Sequence, residues 1–182
     1  MKLTAEDRHK ILGIWNQTAR QYPRESTIHE LVSAQARRTP QKTAVTFEGQ
    51  SLTYSELERR SNQMAPHLRQ MDVGTETLVA LYVHRSLEMV ISLLGILKAG
   101  GAYIPIDPAF PSARIQQMLE DARPPVLVTH DSLLNKLEGA YKTVCVDRDH
   151  RKISAQPTDP PSSAITSSNL AYIIYTSGST GR

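Results

Sequence analysis

Six consecutive residues, Thr176, Ser177, Gly178, Ser179, Thr180 and Gly181, place four hydroxyls and two glycines side by side. Glycine permits positive φ, so successive backbone N–H groups in such a run can face one concavity, and hydroxyls add donors with little bulk. The chemistry this suits is the holding of a polyphosphate. The simpler reading of a Ser/Gly-rich run is a linker. The preceding run argues for a site: Leu170-Ala171-Tyr172-Ile173-Ile174-Tyr175 is apolar on both faces, which predicts a central strand covered on both sides. Ligands of open α/β sheets gather at the carboxyl ends of strands. Neither G-x-x-x-x-G-K-[ST] nor G-x-G-x-x-G occurs, so the two common nucleotide fingerprints are excluded.

Other reactive side chains carry less. His9, His29, His67, His84, His130 and His150 show no H-E-x-x-H or paired ligand spacing and read as surface or structural histidines. Cys145 is the single cysteine, which excludes a disulfide framework and a multi-cysteine zinc site. Its apolar setting, Thr143-Val144-Cys145-Val146, predicts a buried, inert thiol. Glu120-Asp121 and Asp147-Arg148-Asp149 fall at expected element ends, where solvation is a sufficient role.

The elements that must position the hydroxyl-rich loop follow from periodicity. Thr27 and Glu30 have the form of a capping box, and Ile28, Leu31, Val32 and Gln35 share one face of the helix that follows, which Arg37-Arg38 close before Pro40. Thr43–Phe47 and Leu52–Tyr54 flank Glu48-Gly49-Gln50 as a hairpin. Ser55 and Glu58 restart a helix with Leu57, Met64, Leu68 and Met71 inward, and Pro66 predicts a kink or an early end there. From Leu78 onward strands alternate with helices. Leu78–Val83, Tyr103–Ile106, Val126–Thr129 and Thr143–Val146 read as strands. Ser86 caps a helix that Gly100-Gly101 end, Ile115, Met118, Leu119 and Ala122 form a stripe on the next, and Ser132–Leu137 is a short one. This alternation predicts an α/β fold, a parallel or mixed sheet covered by helices. Asp149–Asn169 reads as a polar connection rich in Pro and Ser.

Composition sets the outer bounds. With 182 residues and 40 % apolar content the chain is ordinary globular material. A net charge of +3, with no denser basic spots than Arg37-Arg38 and Arg59-Arg60, gives no footprint for nucleic acid or an anionic membrane. The longest nearly apolar stretch, Met89 to Leu97, is far below the roughly 18 residues of a spanning helix, and no signal region opens the chain. The expected compartment is the cytoplasm.

Three ordered segments resemble the core motifs of the amino-acid-activating adenylation domains of nonribosomal peptide synthetases, within the AMP-forming acyl-adenylating enzymes. Leu52-Thr53-Tyr54-Ser55-Glu56-Leu57 is similar to the first and Leu97-Lys98-Ala99-Gly100-Gly101-Ala102-Tyr103-Ile104-Pro105-Ile106-Asp107 to the second. Leu170 to Gly181 is similar to the third, and Arg85-Ser86-Leu87-Glu88-Met89, Asp107-Pro108-Ala109-Phe110-Pro111 and Arg114 also fit. The resemblance covers about Ile11 to Arg182. It implies that Thr176, Ser177, Gly178, Ser179, Thr180 and Gly181 hold the β and γ phosphates of ATP, supplied with magnesium, while an amino-acid carboxylate attacks the α-phosphorus. It implies as partners the amino-acid substrate, a carrier domain bearing phosphopantetheine, and a condensation domain, with no nucleic acid and no membrane. Residues 1–25 resemble the junction after a condensation domain, and 26–182 the amino-terminal portion of an adenylation domain, in the large subdomain. No catalytic residue and no metal ligand is assigned. The family's remaining functional motifs follow its phosphate loop, so 182 residues alone are expected to be an inactive fragment. Two alternatives stand beside this: an acyl-coenzyme A ligase-type enzyme, which shares the third motif, and a non-enzymatic nucleotide-binding or docking protein.

Overall fold

Three threonines each stop an extended segment and start a helix. Thr4, Thr27 and Thr53 accept the N–H of Asp7, Glu30 and Glu56 on their hydroxyls, and the three carboxylates return to the cap N–H groups. Each exchange satisfies two backbone donors that a helix start leaves unpaired. The computed structural model describes residues 3–137, 139–162 and 164–176. In chain order the elements are α1 (Ala5–Leu12), α2 (Ile28–Arg38), β1 (Thr43–Phe47), β2 (Gln50–Thr53), α3 (Tyr54–Arg69), β3 (Leu78–Tyr82), α4 (Leu87–Ala99) and β4 (Ala102–Ile106). They continue with α5 (Ser112–Ala122), β5 (Val126–Thr129), β6 (Lys142–Cys145) and α6 (His150–Ser154). Short 3-10 stretches, Ile14–Asn16 and Asp131–Lys136, complete the set.

β1 and β2 form an antiparallel hairpin, and β4-β3-β5-β6 form a parallel sheet in that order. The fold is therefore α/β with helices on both faces, as expected from the alternation of elements. Val79 and Leu81 of β3, with Val126 and Val128 of β5, face Met64 and Leu68 of α3, Ile96 of α4 and Ile153 of α6. Ala80, Tyr82 and Leu127 point to the opposite face and pack with Ile115, Met118 and Leu119 of α5 and with Leu133. Side-chain alternation along each strand thus fills two separate cores. The hairpin closes a third, where Leu52 meets Leu57, Leu87, Ile91 and Leu94. α3 and α4 touch at Gly95, where a Cβ would lie 2.3 Å from Met64 Cγ. α4 then stops at Gly100, whose φ of +109° is a left-handed conformation that glycine adopts without strain.

Several expectations are corrected. The inward face of α2 carries His29, Ser33 and Ala36, while Ile28 and Leu31 are about half exposed. The reason is a buried charge: Lys98 Nζ lies 2.7 Å from Glu58 Oε2 and 2.7 Å from Asn62 Oδ1, and Ser33 Oγ donates to Glu58 Oε1 at 2.8 Å. α2 turns Ser33 inward to meet this polar group, while Val32, from the expected face, still packs against the hairpin core. α3 is capped by Thr53, two residues before Ser55, and runs through Pro66 for one more turn, to Arg69, without an early end. Within residues 1–25, α1 forms from Ala5 to Leu12 with none of its residues buried. The 149–169 connection starts with α6. Among the described residues no helix is long and apolar enough to cross a membrane.

Candidate functional site

The hydroxyl-rich loop is delivered by the 170–175 run, and three sets of contacts fix that run. The connection leading to it is held along α3: Asn62 Nδ2 donates to Thr158 O at 2.8 Å, Gln63 Nε2 to Gln156 O at 3.3 Å, and Arg69 Nη2 to Ser162 O at 2.7 Å. At the start of the run Glu76 Oε1 accepts the Leu170 N–H at 3.0 Å and the Asn169 side chain at 2.9 Å. These donors hold its carboxyl below the usual carboxylate range. In the middle, Tyr103 N–H donates to Ala171 O at 3.1 Å and Ile173 N–H to Tyr103 O at 3.0 Å, a parallel bridge that places the run beside β4. The Tyr103 and Tyr172 rings lie 5.6 Å apart.

At the end of the run, Ile173 and Tyr175 turn toward the core beneath α5. Tyr175 OH donates to Asp121 Oδ2 at 2.6 Å, with Met118 O at 3.5 Å. Burial, together with the Asp121 carboxylate, pushes the phenol up to about 12. Thr176 follows, exposed. Ser177, Gly178, Ser179, Thr180 and Gly181, the rest of the expected phosphate loop, lie outside the described residues. The expectation of a central strand covered on both faces is corrected: one isolated bridge puts the run at the sheet edge, and Tyr172 and Ile174 are 46 % and 57 % exposed. Apolar residues on both faces do not distinguish a covered strand from one whose outer face is open in the described structure.

Two groups read as merely solvated have definite partners. Asp121 receives Tyr175. Asp149 is 6 % exposed and accepts the Cys145 N–H at 3.0 Å and Lys152 Nζ at 3.1 Å. Burial draws its carboxyl up, but these donors outweigh burial and leave it below the usual range. Asp147 behaves likewise through the N–H groups of Asp131 and Arg148. Cys145 is buried and its thiol is pushed up by that burial, as expected of an unreactive cysteine.

The fold also gathers residues that spacing in the sequence does not connect. Beyond the carboxyl ends of β3 and β5, His84 and His130 come to 6.3 Å between ring centroids, beside the Arg148–Asp131 ion pair at 2.7 Å. Among the described residues no three His, Cys, Asp or Glu side chains assemble as a metal site. A cavity of about 160 Å³ opens between α3, α4 and α6, lined by Arg60, Met64, Glu88, Ser92 and His150. It lies on the sheet face opposite to α5, away from the side that receives Tyr175. Of the residues that seat the run, Asp121 alone carried a sequence signal: an acid in the last turn of a helix opposes the macrodipole and calls for a partner.

A family model described as AMP-binding enzyme matches residues 32–182. Tyrocidine synthase 2 of Brevibacillus parabrevis is 45 % identical over 180 residues, which are 99 % of this chain and 5 % of that protein. Malpinin synthetase of Mortierella alpina is 45 % identical over 181 residues, 99 % of this chain and 2 % of that protein. The chain therefore spans a small fraction of the length of these relatives. A crystal structure of the nonribosomal peptide synthetase FmoA3 in its AMPPNP-bound form superposes with a TM-score of 0.82 at 34 % identity, covering 96 % of this chain and 18 % of that one. The amino-terminal subdomain of Klebsiella oxytoca NpsA shares the fold, with a TM-score of 0.75 at 23 % identity over 87 % of this chain and 41 % of its own.

Proposed function

The chain belongs to the AMP-binding enzyme family, and from that premise we propose that it forms part of a nonribosomal peptide synthetase adenylation domain, which activates an amino acid with ATP. The observation that carries the reading is the seating of the 170–175 run. Tyr175 is pinned to α5 and the run pairs with β4, so the chain reaches Thr176 at the carboxyl side of the sheet, where anionic ligands of such folds collect. Residues 26–182 are the amino-terminal portion of the domain and 1–25 the junction that follows a condensation domain. The identity to the tyrocidine and malpinin synthetases supports this branch over an acyl-coenzyme A ligase.

In the proposed reaction the amino-acid carboxylate attacks the α-phosphorus of ATP and pyrophosphate leaves; the phosphopantetheine thiol of a carrier domain then attacks the acyl carbon of the aminoacyl-adenylate, forming a thioester and releasing AMP. The role of this chain is to bind. Backbone N–H groups and the hydroxyls of Thr176, Ser177, Ser179 and Thr180 would take the β and γ phosphates, with charge-assisted hydrogen bonds that strengthen as pyrophosphate leaves. Magnesium enters with ATP as its counter-ion. A cation that enters in this way is held mainly through the substrate phosphates. We place the reaction in the cytoplasm, in the assembly of a secondary-metabolite peptide. The chain alone is expected to be inactive, because the groups that bind the amino acid and ribose are assigned to no residue in it.

The test is replacement of the matching segment of tyrocidine synthase 2 by this chain. Amino-acid-dependent exchange of pyrophosphate into ATP by the folded chimera is the expected result. A folded chimera without exchange overturns the reading, whereas amino-acid-dependent exchange by the 182 residues alone overturns the expectation that the chain by itself is inactive.

A further inference from the structure

We propose that Asp121, on α5, is a positioning residue for the phosphate loop, acting through Tyr175, which immediately precedes Thr176. This rests on the adenylation reading for its functional consequence, but the contact itself does not.

Four observations converge on it. Asp121 Oδ2 accepts the Tyr175 hydroxyl at 2.6 Å, a short bond of the charge-assisted kind. The acid sits in the last turn of α5, which holds no basic residue, where the negative end of the helix disfavours it. An acid placed against the local field of its own helix points to a partner elsewhere, and the phenol is that partner. The run it secures is otherwise held to the sheet by one isolated bridge at Tyr103, unlike β3, β4, β5 and β6, which pair over four or five residues each. Finally, the other end of the run is fixed by a second carboxylate, Glu76, so the segment is held at both ends by acids from the α/β framework. Of the two, Asp121 lies next to the loop. The phenol is held in its donor form, since burial and the adjacent carboxylate both oppose its ionisation.

The geometry assigns a simple role. Tyr175 and Thr176 are joined by one peptide bond, so fixing the phenol limits where the first loop N–H and hydroxyl can point. Ligand affinity then includes the cost of fixing Thr176, which the latch reduces by pre-organisation. Asp121 is exposed, so its replacement leaves the two cores intact.

Hydrogen exchange on the full 182-residue chain tests the contact. Tyr175→Phe and Asp121→Ala should each speed exchange across 170–176 on the order of tenfold, the effect of one charge-assisted hydrogen bond. The β3 and β5 amides should be unchanged. Asp121→Asn, which keeps an acceptor oxygen, should restore most of the protection, and the double variant Tyr175→Phe, Asp121→Ala should be no faster than either single one. Unchanged exchange in both single variants, or additive effects in the double, overturns the latch. In the tyrocidine synthase chimera the same single variants should raise the KM for ATP several-fold and leave the KM for the amino acid unchanged, with Asp121→Asn close to wild type. An unchanged KM for ATP overturns the positioning role. An unmutated chimera that folds and is inactive overturns the adenylation reading, and the exchange cycle still decides the latch.

Discussion

Removal of Glu58 should be the most costly single change to a polar side chain in this fold. Lys98 is 3 % exposed, and its ammonium is matched by Glu58 Oε2 at 2.7 Å and by the neutral Asn62 Oδ1 at 2.7 Å. In Glu58→Ala the ammonium stays buried against one amide oxygen, and an orphaned charge of this kind costs about 3–5 kcal/mol. Lys98→Met removes the other partner instead. Glu58 then keeps Ser33 Oγ at 2.8 Å and a side chain that is 16 % exposed, so the loss should be only about 1–2 kcal/mol. The double variant Lys98→Met, Glu58→Gln leaves no buried charge and should cost less than Glu58→Ala alone. Urea unfolding reads all three. With a slope of about 2 kcal/mol per molar, Glu58→Ala should lower the midpoint by roughly 1.5–2.5 M. The deficit also has a pH signature. Burial already holds the Lys98 ammonium below its usual 10.5, and loss of Glu58 lowers it further. Between the folded value and 10.5 the unfolded chain binds more protons, so the variant should regain stability as pH rises through that window. A midpoint shift under about 0.5 M for Glu58→Ala, or a larger loss in Lys98→Met than in Glu58→Ala, would refute the account of α2, α3 and α4 as packed around a compensated charge.

Two further outcomes follow from the same packing. Gly95→Ala places a Cβ 2.3 Å from Met64 Cγ and 2.6 Å from Met64 Cβ, so overpacking of roughly 1–3 kcal/mol, offset by a gain in helix propensity of about 1 kcal/mol, should leave a net loss of up to roughly 2 kcal/mol in urea unfolding, while a stabilised variant contradicts the close approach of α3 and α4. His67 is buried on α3, and burial, only partly opposed by Asp149, lowers its imidazole from the usual 6.5. The unfolded chain then binds the extra proton first, so stability should fall as pH drops below about 6.5, and His67→Leu should flatten the urea midpoint between pH 7.5 and 5.5, leaving the smaller slope from His29, which burial shifts the same way. An equal slope in the variant removes His67 from that account.

Periodicity recovers most of the framework because its causes are local. The strands from Leu78 onward, the Ser86 cap, the Gly100 stop and the stripe on α5 all appear where the apolar spacing and turn residues put them. The failures occur where a partner distant in sequence decides. Ile28 and Leu31 outrank Ser33 and His29 in hydropathy, but the buried Lys98–Glu58 pair selects the polar face of α2. Apolarity on both sides of 170–175 suggests two coverings, whereas the described structure supplies one, from α5 and its neighbours. The hydroxyl-rich run that the proposed function reads as a phosphate loop stands out by residue type, and the described structure reaches its first member, Thr176. Its supports were less legible. Glu76 and Tyr103 have no local mark, because what they do depends on partners 94 and 69 residues further along the chain, at Leu170 and Tyr172.

The pairing of Tyr103 with Tyr172, 69 residues apart, also bears on the order of assembly. β3, β4, β5 and β6 follow one another along the chain and can zip up through short crossovers, whereas the 170–175 run must close a much longer loop to reach β4, which delays it. The last segment to dock, held by one bridge and two acids, is expected to open before the four-stranded sheet, in a partial unfolding that withdraws Ile173 and Tyr175 from the core beneath α5 and leaves the other two cores intact. On the proposed function, closure of the sheet edge and occupancy of the loop are a single linked equilibrium: a ligand tightens the edge only by its preference for the docked state, and with the logarithm of its affinity. The sheet completes itself at the place where it would meet its substrate.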